Sequence, residues 1–268
     1  MPRAVPERQR LRLLIFFRCA KISIVKGQKS HELRHRVLRP EHARGGSEAV
    51  EDYAKSIFAL QRRGEGGAVS TTALSERLGV SPASVTAMLK RMDEASLVVH
   101  EPYRGVTLTQ EGERMALEVM RHHRLIESYL ADALGMPWDR VHNEAEVLEH
   151  YISEELEERI AEALGDPSHD PHGDPIPDRN LLLDDARSTR LDRLEVGRTV
   201  TIARVSDSDP EMLRYLSERG IRPGVRVTVR ERKPFGGPFV IEVEGDEHSI
   251  GDELAARVLV TERPRGES

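Results

Sequence analysis

The sequence predicts a mainly α-helical protein that ends in a small β domain. Three observations carry that fold class. Apolar residues recur at helical spacing in five segments between residues 48 and 164. Two of the short segments meet at a glycine followed by a Ser-Pro pair, a turn between helices. Beyond a stretch rich in Pro, Asp and Gly (165–194), the apolar period becomes that of strands.

The first segment, 48–64 (EAVEDYAKSIFALQRRG), places Val50, Ala54, Ile57, Phe58 and Leu60 three to four residues apart and stops at Gly64. A short helix follows at 70–79, with Ser70 or Thr71 as N-cap and Gly79 as stop. Ser81-Pro82 opens a third, because serine caps and proline suits the first helical position. Its core side is Val85, Met88, Leu89 and Met92. Helix, glycine turn and second helix make a helix-turn-helix. LVVHEPYRGVTLT (97–109) reads as two strands around a Pro-Tyr-Arg-Gly turn, a wing. Residues 47–110 are therefore predicted to be a winged-helix DNA-binding domain. The helix starting at Ser81 would enter the major groove, led by Ser81, Ala83, Ser84 and Ala87. Ser84 and Thr86 suit phosphate or base edges, and Lys90, Arg91 and the wing residue Arg104 suit the backbone. None of these side chains is committed to a bidentate base contact, so specificity is expected to lean on small-residue packing and DNA shape.

Two long helices are predicted next. Residues 110–135 align Met115, Val119, Ile126, Leu130 and Leu134. Residues 139–164 align Leu148, Tyr151, Ile152, Leu156, Ile160 and Leu164. That apolar surface exceeds what one small core uses, so 111–165 is expected to dimerise. Residues 166–194 read as a linker. In 195–262, Val200/Ile202/Val205, Val225/Val227/Val229, Val240/Ile241/Val243 and Val258/Val260 mark strands, with a helical turn at 210–220: a small β-barrel with one helix. Residues 263–268 form a tail.

Of the 268 residues, 38% are hydrophobic and 32% charged, too apolar for a disordered chain and too charged for a membrane protein. No run approaches the ~20 apolar residues of a membrane span. Cys19 is the only cysteine, which excludes intramolecular disulfides and cysteine zinc sites and suits a reducing, cytoplasmic setting. The net charge of −6 conceals an asymmetry. Residues 1–46 carry 12 Lys and Arg against 3 Asp and Glu, and the rest carries 28 against 43. Within that acidic body, residues 53–104 hold 7 basic and 5 acidic groups, so DNA contact is expected there. Arg12, Arg18 and Lys21 interrupt the apolar residues of the N-terminal segment, which lacks a secretory pattern and reads as a basic, disordered extension.

His142, Glu146, Glu149 and His150 stand at offsets 0, 4, 7 and 8, on one face of the predicted 139–164 helix. His123 and Glu127 repeat the offset of four on the preceding helix, and Asp52 lies near the start of the first. Carboxylates and imidazoles converging from separate helices suit a divalent transition metal. The residues alone leave a second option: a winged-helix regulator responding to a non-metal, apolar ligand, with 142–150 a surface patch. An enzyme is not expected, since the chain has no His-Glu-x-x-His, no paired-cysteine deaminase signature and no glycine-rich phosphate loop.

From about residue 48 to 262 the chain resembles the diphtheria toxin repressor family of metal-dependent transcriptional regulators, in its three-domain form. The motifs are EDYAKSIFAL, SPASVTAMLKRM, VMRHHRLIESYL, VHNEAEVLEHYISEELEERI and the turn DPHGDPIPD (170–178). The resemblance implies an SH3-like fold for the β domain and a metal corepressor that fixes the DNA-binding head against the dimer domain. It puts Asp52, Glu146, Glu149 and His150 in the primary, activating site, and His123, Glu127 and His142 in the ancillary one. In some manganese-type members the position of His123 belongs to the activating site. Iron-type members have methionine and cysteine where this chain has Asp52 and Glu146. Two hard oxygens for two soft sulfurs favour Mn(II), with Fe(II) the alternative, at up to two sites per subunit. Lys55 departs from the two-domain manganese type, which has glutamate there. Asp209 aligns with a ligand lent by the SH3-like domain, while Met212 replaces a polar residue at the other such position. His169 and His172 could also bind metal, but in a Pro/Asp loop they are expected to be solvated and stay outside the ligand set. Without metal, Asp52, Glu146 and Glu149 are expected to repel one another and disfavour docking of the first helix. The implied partners are palindromic double-stranded operator DNA, with half-sites about one helical turn apart or multiples of that, and a second copy of the chain; neither a membrane nor a small-molecule substrate is implied.

Overall fold

The computed structural model describes residues 44–63, 67–101, 104–184, 188–235 and 237–262. The tail 263–268, most of the 1–46 extension, Gly64 and the wing-tip pair Pro102-Tyr103 lie outside the described residues.

Three helices and a hairpin come first: α1 (Arg44–Arg63), α2 (Thr71–Leu78), α3 (Pro82–Glu94), β1 (Val98–Glu101) and β2 (Gly105–Leu108). The local chemistry is the expected one. The Ser70 hydroxyl accepts from Ala73 N, Gly79 closes α2 at φ 65° in the left-handed region, and the Ser81 hydroxyl accepts from Ser84 N ahead of Pro82. Ile57, Leu74, Val85, Leu89, Met92 and Val106 form the core beneath. The strands pair antiparallel from Val98 opposite Leu108 to Glu101 opposite Gly105.

Helix α4 (Gln110–Asp132) leaves the wing directly. Thr109 caps it by accepting from Gly112 N at 3.2 Å. A Cβ on Gly112 would lie 2.0 Å from the Leu97 carbonyl oxygen. That neighbour is backbone and cannot rotate away, so Gly112→Ala is expected to destabilise the fold by about 3 kcal/mol, at the upper end for overpacking. Urea unfolding of the metal-free protein measures it, and a loss under ~0.5 kcal/mol, within the usual range of neutral surface changes, would mean the helix–wing junction yields.

The expected single helix over 139–164 is instead two: α5 (Val141–Leu148) and α6 (Glu154–Leu164). Ser153 accepts from Leu156 N at 3.2 Å and so caps a new helix, with Glu154, Glu155 and Glu157 in the first turn, where the helix dipole favours anions. Glu149 and His150 therefore stand in a turn rather than on a helical face. Leu125, Ile160 and Ile176 pack together, as do Ile126, Leu130, Val141 and Ala145. Leu134, Leu148, Tyr151 and Leu156 remain exposed in the protomer, an apolar surface its own core does not use.

The C-terminal part comprises β3 (Thr189–Arg190), a 3₁₀ turn (Leu191–Arg193), β4 (Thr199–Val205), α7 (Pro210–Ser217), β5 (Arg226–Arg232), β6 (Phe239–Val243), β7 (Asp246–Ile250), α8 (Asp252–Ala256) and β8 (Val258–Thr261). The strands pair antiparallel in the order β3-β8-β4-β5-β6-β7. β7 carries no apolar alternation because it is an exposed edge, which the valine pattern could not reveal. Ile202, Leu213, Leu216, Phe239 and Ile241 fill the core. Trp138, from the loop after α4, joins that core and ties the sheet to the helices. The loop 166–178 is pinned as well. Arg121 donates to the Pro177 carbonyl at 2.6 Å, and Arg124 reaches Asp174 at 3.3 Å and the Pro175 carbonyl. Among the described residues no helix is long and apolar enough to cross a membrane.

Candidate metal centre

The predicted donors meet around Glu149, which is 1% exposed. Asp52, on α1, comes within 3.2 Å (Oδ1) of His150 Nε2, and Glu149 Oε1 lies 3.6 Å from the same nitrogen. The other His150 nitrogen donates to Glu51 at 2.7 Å. Thus α1 of the winged helix and the turn after α5 face each other through ligand-type atoms. On its other side Glu149 Oε2 accepts from His123 Nδ1 at 2.5 Å, and Glu146 completes that set.

A second group lies deeper. His123 Nε2, His142 Nδ1 and Glu127 Oε1 stand 3.1, 3.1 and 3.2 Å from one another. Asp207 approaches His142 Nδ1 at 3.3 Å. Glu127, 0% exposed, also faces His172 Nδ1 at 3.6 Å, with Asp170 beside them. His123 belongs to both groups, one through each ring nitrogen.

Three expectations need correction. Asp209 lies outside these groups. Its carboxylate caps α7, accepting from Glu211 N at 2.9 Å and Met212 N at 3.2 Å, and Asp207 stands among the donors instead. The signal was present, since an acidic residue immediately before a proline at the first helical position is a cap, by the same rule that identifies Ser81. His172 is not solvated but 0% exposed, held by a 2.7 Å contact to the Trp138 carbonyl and a stacked Trp138 ring. Finally, the carboxylates do not simply repel in the metal-free chain. Lys55 Nζ donates to Glu146 at 2.9 Å and Glu149 at 2.6 Å, and His150 compensates Asp52 and Glu51.

The electrostatics follow from the packing. Hydrogen bonds to Asp52 and Glu51 outweigh burial and hold His150 at a pKa of about 10. Burial opposes charging His123, yet the Glu127 charge and bonds to Glu127 and Glu149 bring it to about 9. Burial likewise opposes charge on His142, but Asp207 and Glu127 raise it to about 10. Burial would push Asp207 up, and the His142 hydrogen bond brings it to about 2. Glu127 is held well below the usual carboxylate range against its burial, chiefly by the His123 charge.

These residues fit a divalent ion. Glu127 Oε2 and His172 Nδ1 are buried without a hydrogen-bond partner, a state that costs roughly 1–3 kcal/mol per group unless something else satisfies it. The triangle of His123, His142 and Glu127 atoms has sides close to the ~3 Å that separates adjacent donors each ~2.1 Å from one ion. All donors are oxygen or nitrogen, a set that suits Mn(II), Fe(II) or Zn(II) rather than a soft ion.

The other predicted functional face is exposed. Ser81, Ala83, Ser84, Thr86, Ala87, Lys90 and Arg91 lie on the open side of α3, and Arg104 at the base of the wing tip. The Ser81 and Ser84 hydroxyls are 2.9 Å apart, and Thr86 Oγ1 donates to the Pro82 carbonyl at 2.9 Å. Two of these hydroxyls thus already serve the helix, while Lys90 and Arg104 make only exposed ion pairs, with Glu94 and Glu101.

Comparison with known proteins meets this geometry. Three domain-family models match in tandem: the iron dependent repressor N-terminal DNA binding domain over 47–106, the iron dependent repressor metal binding and dimerisation domain over 109–178, and the FeoA domain over 189–262. The iron-dependent repressor IdeR of Mycobacterium tuberculosis is 32% identical over 225 residues, 80% of this chain and 96% of its own. The transcriptional regulator MntR of Escherichia coli O157:H7 is 36% identical over 135 residues, 50% of this chain and 83% of its own. A solved manganese-dependent transcriptional repressor in complex with manganese superposes with a TM-score of 0.73 at 38% identity, covering 80% of this chain and 100% of that one. These relatives are regulators and not enzymes. With a winged helix, a helical domain carrying the ligand-type residues and an SH3-like sheet in the same order, this chain belongs to the diphtheria toxin repressor family of metal-dependent transcriptional repressors.

Proposed function

We propose that the protein is a cytoplasmic, homodimeric repressor that binds palindromic operator DNA when loaded with Mn(II), with Fe(II) the competing corepressor. The observation that carries this reading is the 3.2 Å approach of Asp52 on α1 to His150 beyond α5, which puts the DNA-binding head and the helical body at opposite sides of one ligand set. Asp52, Glu146, Glu149 and His150 form the activating site. His123, Glu127 and His142, with Asp207, Asp170 and His172, form the second. When bound, the ion supplies positive charge and a cross-link between α1 and the turn at 149–150. The chain's own part is to give up the imidazole protons, hold the carboxylates in place and present Ser81, Ala83, Ser84, Thr86, Ala87, Lys90, Arg91 and Arg104 to DNA. Preference for manganese rests on the oxygen-rich activating set, in which no sulfur takes part. The exposed Leu148, Tyr151 and Leu156 supply apolar surface for a second copy.

If the metal favours the DNA-competent arrangement, DNA must tighten metal binding by the same factor, typically about 5–150-fold. A gel shift on the DNA upstream of the protein's own gene, with Mn(II), Fe(II) and chelator in parallel, tests this. Mn(II) should sharpen binding and chelator release it. Equal binding in all three lanes would favour the non-metal regulator.

A further inference from the structure

Beside the activating site stands a carboxylate that belongs to none of the donor sets among the described residues. Glu51 precedes Asp52 on α1, and its side chain is 16% exposed. Glu51 Oε2 accepts from His150 Nδ1 at 2.7 Å. Asp52 Oδ1 and Glu149 Oε1 lie instead on the other ring nitrogen, 3.2 and 3.6 Å from Nε2. Consecutive residues of a helix point about 100° apart, at 3.6 residues per turn. The His150 ring therefore reaches two adjacent side chains of α1, one with each nitrogen. A carboxylate has no proton to give at neutral pH, so Nδ1 is the nitrogen that carries one. That leaves Nε2 among the ligand-type atoms.

We propose that Glu51 is a positioning residue: its carboxylate fixes His150 as the Nδ1–H tautomer for ligation, with Nε2 turned to the Asp52–Glu149 side. The inference rests on the metal-dependent function proposed above and adds how the DNA-binding head controls that site. A histidine that ligates through one nitrogen is commonly held by an acceptor on the other, and losing that acceptor typically costs about 10–100-fold in metal affinity. Here the acceptor and one of the ligands are neighbours on α1. The helical body contributes the imidazole, but the winged helix sets its tautomer and ring orientation. Rotation of α1 by one residue about its own axis would take Glu51 from Nδ1 and Asp52 from Nε2 together. The ring thus registers the angular setting of α1, and the site is complete only with the head docked.

The test uses the full chain stripped of metal and titrated with Mn(II) by calorimetry, with and without the DNA upstream of its own gene. Long-range proton–nitrogen NMR on the protein loaded with diamagnetic Zn(II) reads the His150 tautomer. Glu51→Met keeps the length of the side chain and removes the acceptor, whereas Glu51→Gln keeps an acceptor oxygen without the charge. The methionine variant should bind as many Mn(II) ions as the unaltered chain, with affinity lower by about 10–100-fold. Its His150 should no longer be fixed as the Nδ1–H form, and the factor by which DNA tightens Mn(II) should shrink. The glutamine variant should recover the tautomer and most of the affinity. If Glu51 acted through charge alone, both variants would weaken Mn(II) binding alike. If it were only a structural ion pair, both would melt lower when metal-free and bind Mn(II) as before. Either result overturns the assignment, as does an unaltered Zn(II)-loaded chain with the proton on Nε2. The tautomer of the unaltered chain and the glutamine variant decide it should the methionine variant not fold. An unaltered chain that binds no Mn(II) overturns the metal-dependent function itself.

Discussion

Glu149→Gln should abolish metal-dependent DNA binding while leaving the winged helix folded. Glu149 is the one carboxylate that belongs to both donor sets of the proposed activating site, accepting from His123 on one oxygen and from Lys55 on the other. Glutamine keeps the shape and removes the charge, so Mn(II) affinity is expected to fall by more than ~100-fold, beyond the 10–100-fold typical of losing a group that only orients a ligand. The same change leaves Lys55 and His123 facing a neutral amide. Breaking a buried pair in this way costs about 3–5 kcal/mol at the upper limit, less here because Glu146 and Glu127 still hold those two cations. Three measurements separate the effects. Calorimetry should lose the Mn(II) isotherm, and the gel shift should become indifferent to metal. The melting temperature should no longer rise with Mn(II), a rise worth ~2.7 kcal/mol for the unaltered protein at a hundredfold excess over Kd. Retention of the Mn(II) isotherm would remove Glu149 from the centre.

The second large effect is on pH. His150 and His142 at about 10, and His123 at about 9, are protonated at neutral pH in the metal-free protein. An imidazole must lose a proton to ligate, so loading releases protons. Between pH 6.5 and 8.5 the affinity of a site with one such imidazole should rise about tenfold per pH unit, and of a site with two about a hundredfold. Stability of the metal-free fold moves the other way. These pKa values lie above the unfolded value near 6.5, so their contribution is complete below that pH and is lost as pH rises towards 9–10. Calorimetry in buffers of different ionisation enthalpy counts the protons directly. Mn(II) binding with no proton release would show that the imidazoles are neutral or do not ligate.

Much of this was legible in the chain because local rules dominate locally. Ser70, Gly79 and Ser81-Pro82 fix the helix-turn-helix through caps and a left-handed glycine, each requiring only neighbouring residues. The same rules, applied to Ser153 and Asp209, would have broken the 139–164 helix and freed Asp209 from ligand duty. Apolar periodicity hides the first signal, since Ile152, Leu156 and Ile160 continue the pattern across the break, and the family resemblance hides the second, since it aligns Asp209 with a ligand position. What the sequence could not show depends on tertiary approach. Lys55 and Glu149 are 94 residues apart, and nothing in either segment says they touch. His172 sits in a run of Pro, Asp and Gly that reads as solvated, yet Trp138 from a distant loop covers it. β7 was missed for a different reason: an edge strand with little buried surface has no pattern to find.

Trp138 is the chain's only tryptophan, and it stands at once in the core of the C-terminal sheet and against the imidazole facing Glu127. The sheet cannot lift away from the helices without withdrawing that indole from its core. A single chromophore would therefore report detachment of the sheet above it and, if the second site proposed here fills, arrival of an ion beside His172.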